Sequence, residues 1–182
     1  MVYLILGAGF EESEAIIPCD LLRRAGVETR LAGIGGLEIT GGHGITVHAD
    51  CVAEETDLAE AEVIVLPGGL GGVASIKGSA CVLSAVKKVY ENGGYAAAIC
   101  AAPTVLAELG ITDGKNATCY PGMEAQMGAA KTVEAPAVTD GRVITGCAAG
   151  TAFDFGLALV TALCGAEAAK KLADGVVYCR PE

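Results

Sequence analysis

Residues Val2-Tyr3-Leu4-Ile5-Leu6 form an unbroken apolar run that stops at Gly7, and runs of this kind recur along the chain, separated by stretches of helical periodicity. A strand with one face in water alternates apolar and polar residues, so a continuous run means burial on both faces. Both faces of a sheet are covered when helices cross over between parallel strands. The expected architecture is therefore α/β, with strands at Val2–Leu6, 27–32, 62–66, Tyr95–Ile99 and 142–145. Helices are expected over 13–25, with Pro18 in its early turns and Gly26 at its stop, over Ala80–Glu91, over 101–109, and over 151–172 with a break at Gly165. The glycine-rich interval 33–44 leads into a hairpin with arms at 37–40 and 45–48. A helical turn is expected at 57–61, a loop between Pro67 and Ala80, and an extended piece at 115–119.

At 182 residues, 52% of them apolar even without the 26 glycines, the chain suits one folded domain over 1–182 and excludes disorder. A net charge of −10 repels phosphate backbones and anionic membranes, so nucleic acid is an unsuitable partner. The apolar start is too short for a membrane span and lacks the basic flank of a signal peptide. Eight cysteines sit singly, at 19, 51, 81, 100, 119, 147, 164 and 179, with no CxxC pair to make a zinc finger or a local dithiol motif. Most lie within apolar runs, as small buried hydrophobes in a reducing compartment. These features predict a soluble cytoplasmic protein.

In a sheet of this kind ligands bind beyond the carboxyl ends of the strands, which directs attention to the loops after Leu6, Leu66 and Ile99. Gly7-Ala8-Gly9 begins like a dinucleotide fingerprint, but Glu12 stands where the third glycine belongs, and Glu11, Glu12 and Glu14 repel a pyrophosphate. Glu11 and Glu12 read as compensation of a helix dipole. Glu14, one turn in, is placed to point into the strand-end crevice, where burial raises a carboxyl's pKa and lets it donate a hydrogen bond. Ala98-Ile99-Cys100-Ala101-Ala102-Pro103 has small residues two positions either side of Cys100, as a tight strand-to-helix elbow requires. A sulfur presented at a helix N-terminus is expected to be acidic and ionised at neutral pH. Pro67-Gly68-Gly69 offers unhindered backbone N–H groups beside it, suited to an oxyanion.

Taken with Ile17-Pro18, Leu22-Arg23-Arg24-Ala25-Gly26 and Gly150-Thr151-Ala152-Phe153-Asp154-Phe155, these loops resemble the ThiJ/PfpI superfamily, in the branch of the parkinsonism-associated protein deglycase and its bacterial relatives. The resemblance runs in order through nearly the whole chain. It implies a flavodoxin-like three-layer sandwich with a mainly parallel sheet and a nucleophile elbow. It also implies a reactive Cys100, a protonated Glu14 hydrogen-bonded to it, and an oxyanion site lined by the Gly69 and Ala101 amides, with Gly68 and Tyr120 nearby. A homodimer is implied as well, with Ile16, Ile17 and Cys19 near its interface. Activities of that branch are hydration of methylglyoxal to lactate, removal of glyoxal adducts from proteins or nucleotides, redox-dependent chaperoning and oxidative-stress sensing. The chain departs from the family where a histidine often precedes the proline matching Pro121, for here Tyr120 stands there. An arginine of some relatives is replaced by Cys147. The histidine that follows the cysteine in the protease branch is Ala101, so peptidase chemistry is not expected. Two readings stand: a cofactor-free enzyme in which Cys100 adds to a reactive aldehyde, and a non-catalytic sensor or chaperone in which Cys100 is oxidised. Tyr120 either faces the site or packs over the crevice.

Overall fold

The computed structural model describes residues 1–179. The chain runs β1 (Val2–Leu6), α1 (Glu12–Arg24), β2 (Thr29–Gly33), the hairpin β3 (Glu38–Thr40) and β4 (Thr46–His48), then β5 (Cys51–Val52) and β6 (Val63–Leu66). Next come α2 (Leu70–Gly78), α3 (Ala80–Glu91), β7 (Tyr95–Ile99) and α4 (Pro103–Glu108), followed by the short strands β8 (Asn116–Ala117) and β9 (Lys131–Thr132). The antiparallel pair β10 (Ala137–Asp140) and β11 (Val143–Gly146) leads into α5 (Ala152–Cys164) and α6 (Ala166–Gly175). Seven strands make the main sheet in the order β10-β11-β7-β6-β1-β2-β5. Every neighbouring pair in it is parallel except β10 with β11. The result is the expected flavodoxin-like α/β sandwich.

The apolar runs are continuous because their residues alternate between two cores. Ile5, Ile64, Leu66, Ala96 and Ala98 point to the face covered by α2, α3 and α4, with Ile76, Val86 and Val105. Leu4, Leu6, Val65, Ala97 and Ile99 point to the opposite face, where α1 and α5 supply Leu22, Phe155 and Leu159. Each large side chain buried in this way contributes about 1.5–3 kcal/mol.

The differences from expectation are local. The stretch after Pro67 is not a loop throughout, because α2 occupies Leu70–Gly78. Its glycines have low helix propensity, but a side chain at Gly72 would come within 2.7 Å of Phe10 Cα, so glycine lets α2 press against the loop after β1. β10, half exposed at the sheet edge, and the two-residue β5 were not expected as strands. β2 starts at Thr29 rather than 27, because the Val27 N–H closes the end of α1 on the Leu22 carbonyl. The helix expected over 101–109 shortens to Pro103–Glu108, since proline fits a first helical position. Among the described residues no helix is long and apolar enough to cross a membrane.

Candidate active site

The carboxyl ends of β1, β6 and β7 lie side by side in the middle of the sheet, and their loops converge on Cys100. Cys100 has φ +66°, left-handed backbone that non-glycine residues rarely adopt and that costs about 1–3 kcal/mol. Two hydrogen bonds hold it there. The Cys100 N–H donates to the Gly146 carbonyl at 3.0 Å, and the Cys100 carbonyl accepts from the Tyr120 N–H at 2.8 Å. Behind the turn, Thr104 Oγ1 donates to the Ala101 carbonyl at 2.7 Å. The small residues at 98 and 102 are completely buried, as the elbow requires.

Glu14 lies in the first turn of α1 and is 1% exposed. Pro18, one turn on, removes the N–H that would have bonded the Glu14 carbonyl. Glu11 caps the helix, its carboxylate accepting from the Glu14 N–H at 2.8 Å, while the Glu11 N–H donates to the Gly68 carbonyl at 3.0 Å. The Gly68 N–H in turn donates to Glu14 Oε2 at 2.9 Å. A Cβ on Gly68 would stand 2.5 Å from that oxygen and 2.8 Å from Cys100 Cβ, so only glycine lets the carboxyl approach the elbow. Gly69 has φ +82°, and a Cβ there would meet the Gly9 carbonyl at 2.5 Å.

Burial pushes the Glu14 carboxyl up to about 7, and the charge of Glu11 adds to the rise. The Cys100 thiol and the N–H groups of Gly68 and Ala149 oppose it by favouring the carboxylate. Oε1 is buried and makes no well-formed hydrogen bond to the protein. The expectation for Glu14, a buried carboxyl with a raised pKa, holds in this geometry. The expected acidic thiol does not. Burial, followed by the Glu14 carboxylate, pushes Cys100 up to about 12, against the lowering influence of the Ala101 and Gly69 N–H groups. The helix-terminal argument fails because α4 has only six residues and starts three positions beyond the sulfur. Cys100 is therefore a protonated thiol beside a carboxyl that titrates near neutrality.

The structure brings Cys100, Glu14, Gly68, Gly69 and Ala101 together, the Gly69 and Ala101 amides being directed at the sulfur. Tyr120 joins them through its backbone N–H, while its side chain is 48% exposed. Sequence reasoning missed Gly146 and Ala149, which act through backbone atoms and leave no side-chain signal. It also misread Glu12. That residue does more than offset a helix dipole, for it is buried and accepts from the His43 ring and the His43 N–H, both at 2.8 Å. Glu11, Glu12 and His43 bring three donor atoms within 4.8 Å of one another, but both carboxylates are already engaged in the cap and the hairpin.

A model of the DJ-1/PfpI family matches residues 1–162. The chain is 38% identical to the protein dj-1beta of Drosophila melanogaster over 182 residues, covering 96% of this chain and 95% of that one. It is 34% identical over 148 residues to a protein of Pyrococcus abyssi named as a deglycase, covering 80% and 89%. The oxidized Toxoplasma gondii DJ-1 superposes with a TM-score of 0.93 at 30% identity, covering 98% of each chain.

Proposed function

The chain belongs to the DJ-1/PfpI family, and we propose that it is a cofactor-free enzyme acting on reactive aldehydes, of the glyoxalase III or deglycase type, with a role in oxidative-stress protection. The observation that carries this reading is the pairing of a buried Glu14, titrating near 7, with a left-handed Cys100. A carboxyl at that pKa exchanges protons in both directions at neutral pH. It also answers the difficulty of a protonated nucleophile, because the Glu14 carboxylate can take the thiol proton as the sulfur attacks the carbonyl carbon. The Gly69 and Ala101 amides then face the developing oxyanion.

With methylglyoxal the adduct is a hemithioacetal. Glu14 moves a proton from the former aldehyde carbon to the adjacent carbonyl carbon through an enediol, leaving a lactoyl thioester on Cys100. Water cleaves that thioester, releasing lactate and restoring the thiol, so the net reaction is hydration. Early glyoxal adducts of amines present the same masked carbonyl, and the Pyrococcus protein named as a deglycase makes them the second substrate class to try. Lactate formation from methylglyoxal in chelator-treated protein tests the proposal. Turnover in the parent and none in Cys100→Ala is expected, and equal turnover in the two overturns it.

A second reading keeps its place because of the similarity to the oxidized Toxoplasma protein. In it Cys100 is oxidised to a sulfinate to which protonated Glu14 donates, and the protein is a sensor or chaperone. Absence of lactate, together with peroxide-dependent change in Cys100 alone, favours it. Under either reading we propose a cytoplasmic homodimer. Of the α1 residues named for its interface, Ile16 is 40% exposed, Ile17 half-buried and Cys19 buried. Sedimentation as a monomer at micromolar concentration overturns the dimer.

A further inference from the structure

A cleft of about 380 Å³ opens beside the elbow, between the segment that follows β8 and the end of β11, and two cysteines, Cys119 and Cys147, line it. Both are free thiols, the first buried and the second half-buried. They are far apart in sequence, and the backbone brings their segments together from two sides. The Thr118 N–H donates to Thr145 Oγ1 at 2.9 Å. Cys100 spans the other side, donating to the Gly146 carbonyl at 3.0 Å and accepting from the Tyr120 N–H at 2.8 Å. Thus Cys119 stands between Thr118, tied to the segment of Cys147, and Tyr120, tied to Cys100, while Cys147 directly follows Thr145 and Gly146, which make the matching contacts. Burial, the Glu124 carboxylate and the neighbouring Cys147 together push Cys119 up to about 11.

We propose that Cys119 and Cys147 form a second thiol centre, a dithiol that hydroperoxides convert to an intramolecular disulfide in the folded protein. Cys147, the more exposed, takes the oxidant. Its sulfur attacks the peroxide, the O–O bond breaks, and a sulfenic acid forms with release of water or an alcohol. The Cys119 sulfur then attacks the Cys147 sulfur, the S–S bond forms, and the S–O bond breaks. The departing oxygen takes the Cys119 proton and leaves as water, so two thiols supply the two electrons that reduce one peroxide. The bond lies astride both backbone anchors of Cys100, a place that neither reading of the elbow explains.

The test treats the folded parent with one equivalent of hydrogen peroxide, blocks remaining thiols with N-ethylmaleimide, and maps the non-reduced digest by mass spectrometry. The main disulfide should join the Cys119 and Cys147 peptides and vanish on reduction. In Cys147→Ser and Cys147→Ala, Cys119 should stay unlinked and become alkylated after denaturation. Cys100→Ala should still form the bond, which separates this proposal from the fate of the aldehyde chemistry. The proposal is overturned if both cysteines of the parent are recovered unlinked, if either pairs mainly with one of the other six, or if the bond needs Cys100.

Discussion

Glu12 and Glu14 stand two residues apart in the first turn of α1, both buried, yet their carboxyls titrate on opposite sides of the ordinary range. Burial raises both. At Glu12 it is outweighed by the His43 ring and by the N–H groups of His43 and Ile45, which hold the carboxyl at about 2. At Glu14 burial prevails, and the carboxyl rises to about 7. The difference teaches that burial alone does not create a proton-exchanging group, since a carboxyl saturated with donors becomes a fixed anion and an under-satisfied one becomes an acid–base. Glu12 serves as a clasp that holds the β3–β4 hairpin over the loop after β1, where the Gly9 N–H reaches the Thr40 carbonyl and the Gly42 N–H the Phe10 carbonyl, both at 2.8 Å. Glu14 accepts from the Gly68 N–H through Oε2 and keeps Oε1 without a well-formed hydrogen bond to the protein.

The sharpest way to break the comparison is to exchange the two roles. Glu14→Leu should lower aldehyde turnover by about 10²–10⁴, the span of general acid–base catalysis, whereas Glu12→Gln should lower it far less and act on the hairpin. Equal losses would remove the distinction. Their stabilities should also diverge with pH. The folded pKa of Glu14 lies above the unfolded value of 4.5, so the parent loses stability as pH rises from about 4.5 to about 7, and Glu14→Gln should abolish that loss of up to about 3 kcal/mol. Glu12 has the opposite sign: its contribution is present above 4.5 and is lost as pH falls towards about 2. Denaturant midpoints of the parent and both variants at pH 4, 5.5 and 8 would read both signs.

Next in size is Gly68→Ala. Its Cβ falls between Glu14 Oε2 and Cys100 Cβ, so the pair must separate. Turnover should drop by about 10²-fold, the cost of misplacing a reacting group by an ångström. Unimpaired turnover in a folded Gly68→Ala would show that contact between the two groups is not what matters.

How much of this was readable beforehand differs between the two glutamates for a physical reason. β1, β6 and β7 were legible because they are buried on both faces, and Cys100 because alanines at 98 and 102 frame an elbow. Glu14 was legible from its place one turn into a helix that follows a buried strand. The clasp of Glu12 was not, because its partner His43 is distant in the chain and a carboxylate near a helix start has a simpler reading. The protonation of Cys100 was misjudged because the sequence shows a nearby helix but not how deeply the sulfur is buried. The Gly146 carbonyl and the Ala149 N–H carry no residue-type signal at all.

Tyr120→His should give a smaller change, a rise in kcat of about ten-fold if an imidazole can reach the elbow and share the proton transfers. The tyrosine side chain is half exposed, and only its backbone is anchored at Cys100, so the ring has room to be replaced without disturbing the fold. An unchanged kcat would mean that Glu14 alone carries the proton work.

His43→Ala should have the smallest effect and sharpen the comparison most. The substitution removes the ring bond to Glu12 Oε2 but leaves the residue-43 and Ile45 N–H groups on Oε1, at 2.8 and 3.4 Å. Glu12 should therefore titrate higher than in the parent but remain below the ordinary carboxylate range. The hydrogen bond and the charge of Glu12 raise the pKa of His43, which places this part of the clasp on the alkaline side. Its contribution is complete below the unfolded histidine value of about 6.5 and is lost as pH rises through the folded one. The stability difference between parent and His43→Ala should accordingly be largest at pH 5 and shrink above pH 8, with aldehyde turnover unchanged throughout. A turnover loss with a pH profile following His43 would show that the clasp and the elbow act as one unit, and that the two glutamates divide their labour less cleanly than their hydrogen bonds indicate.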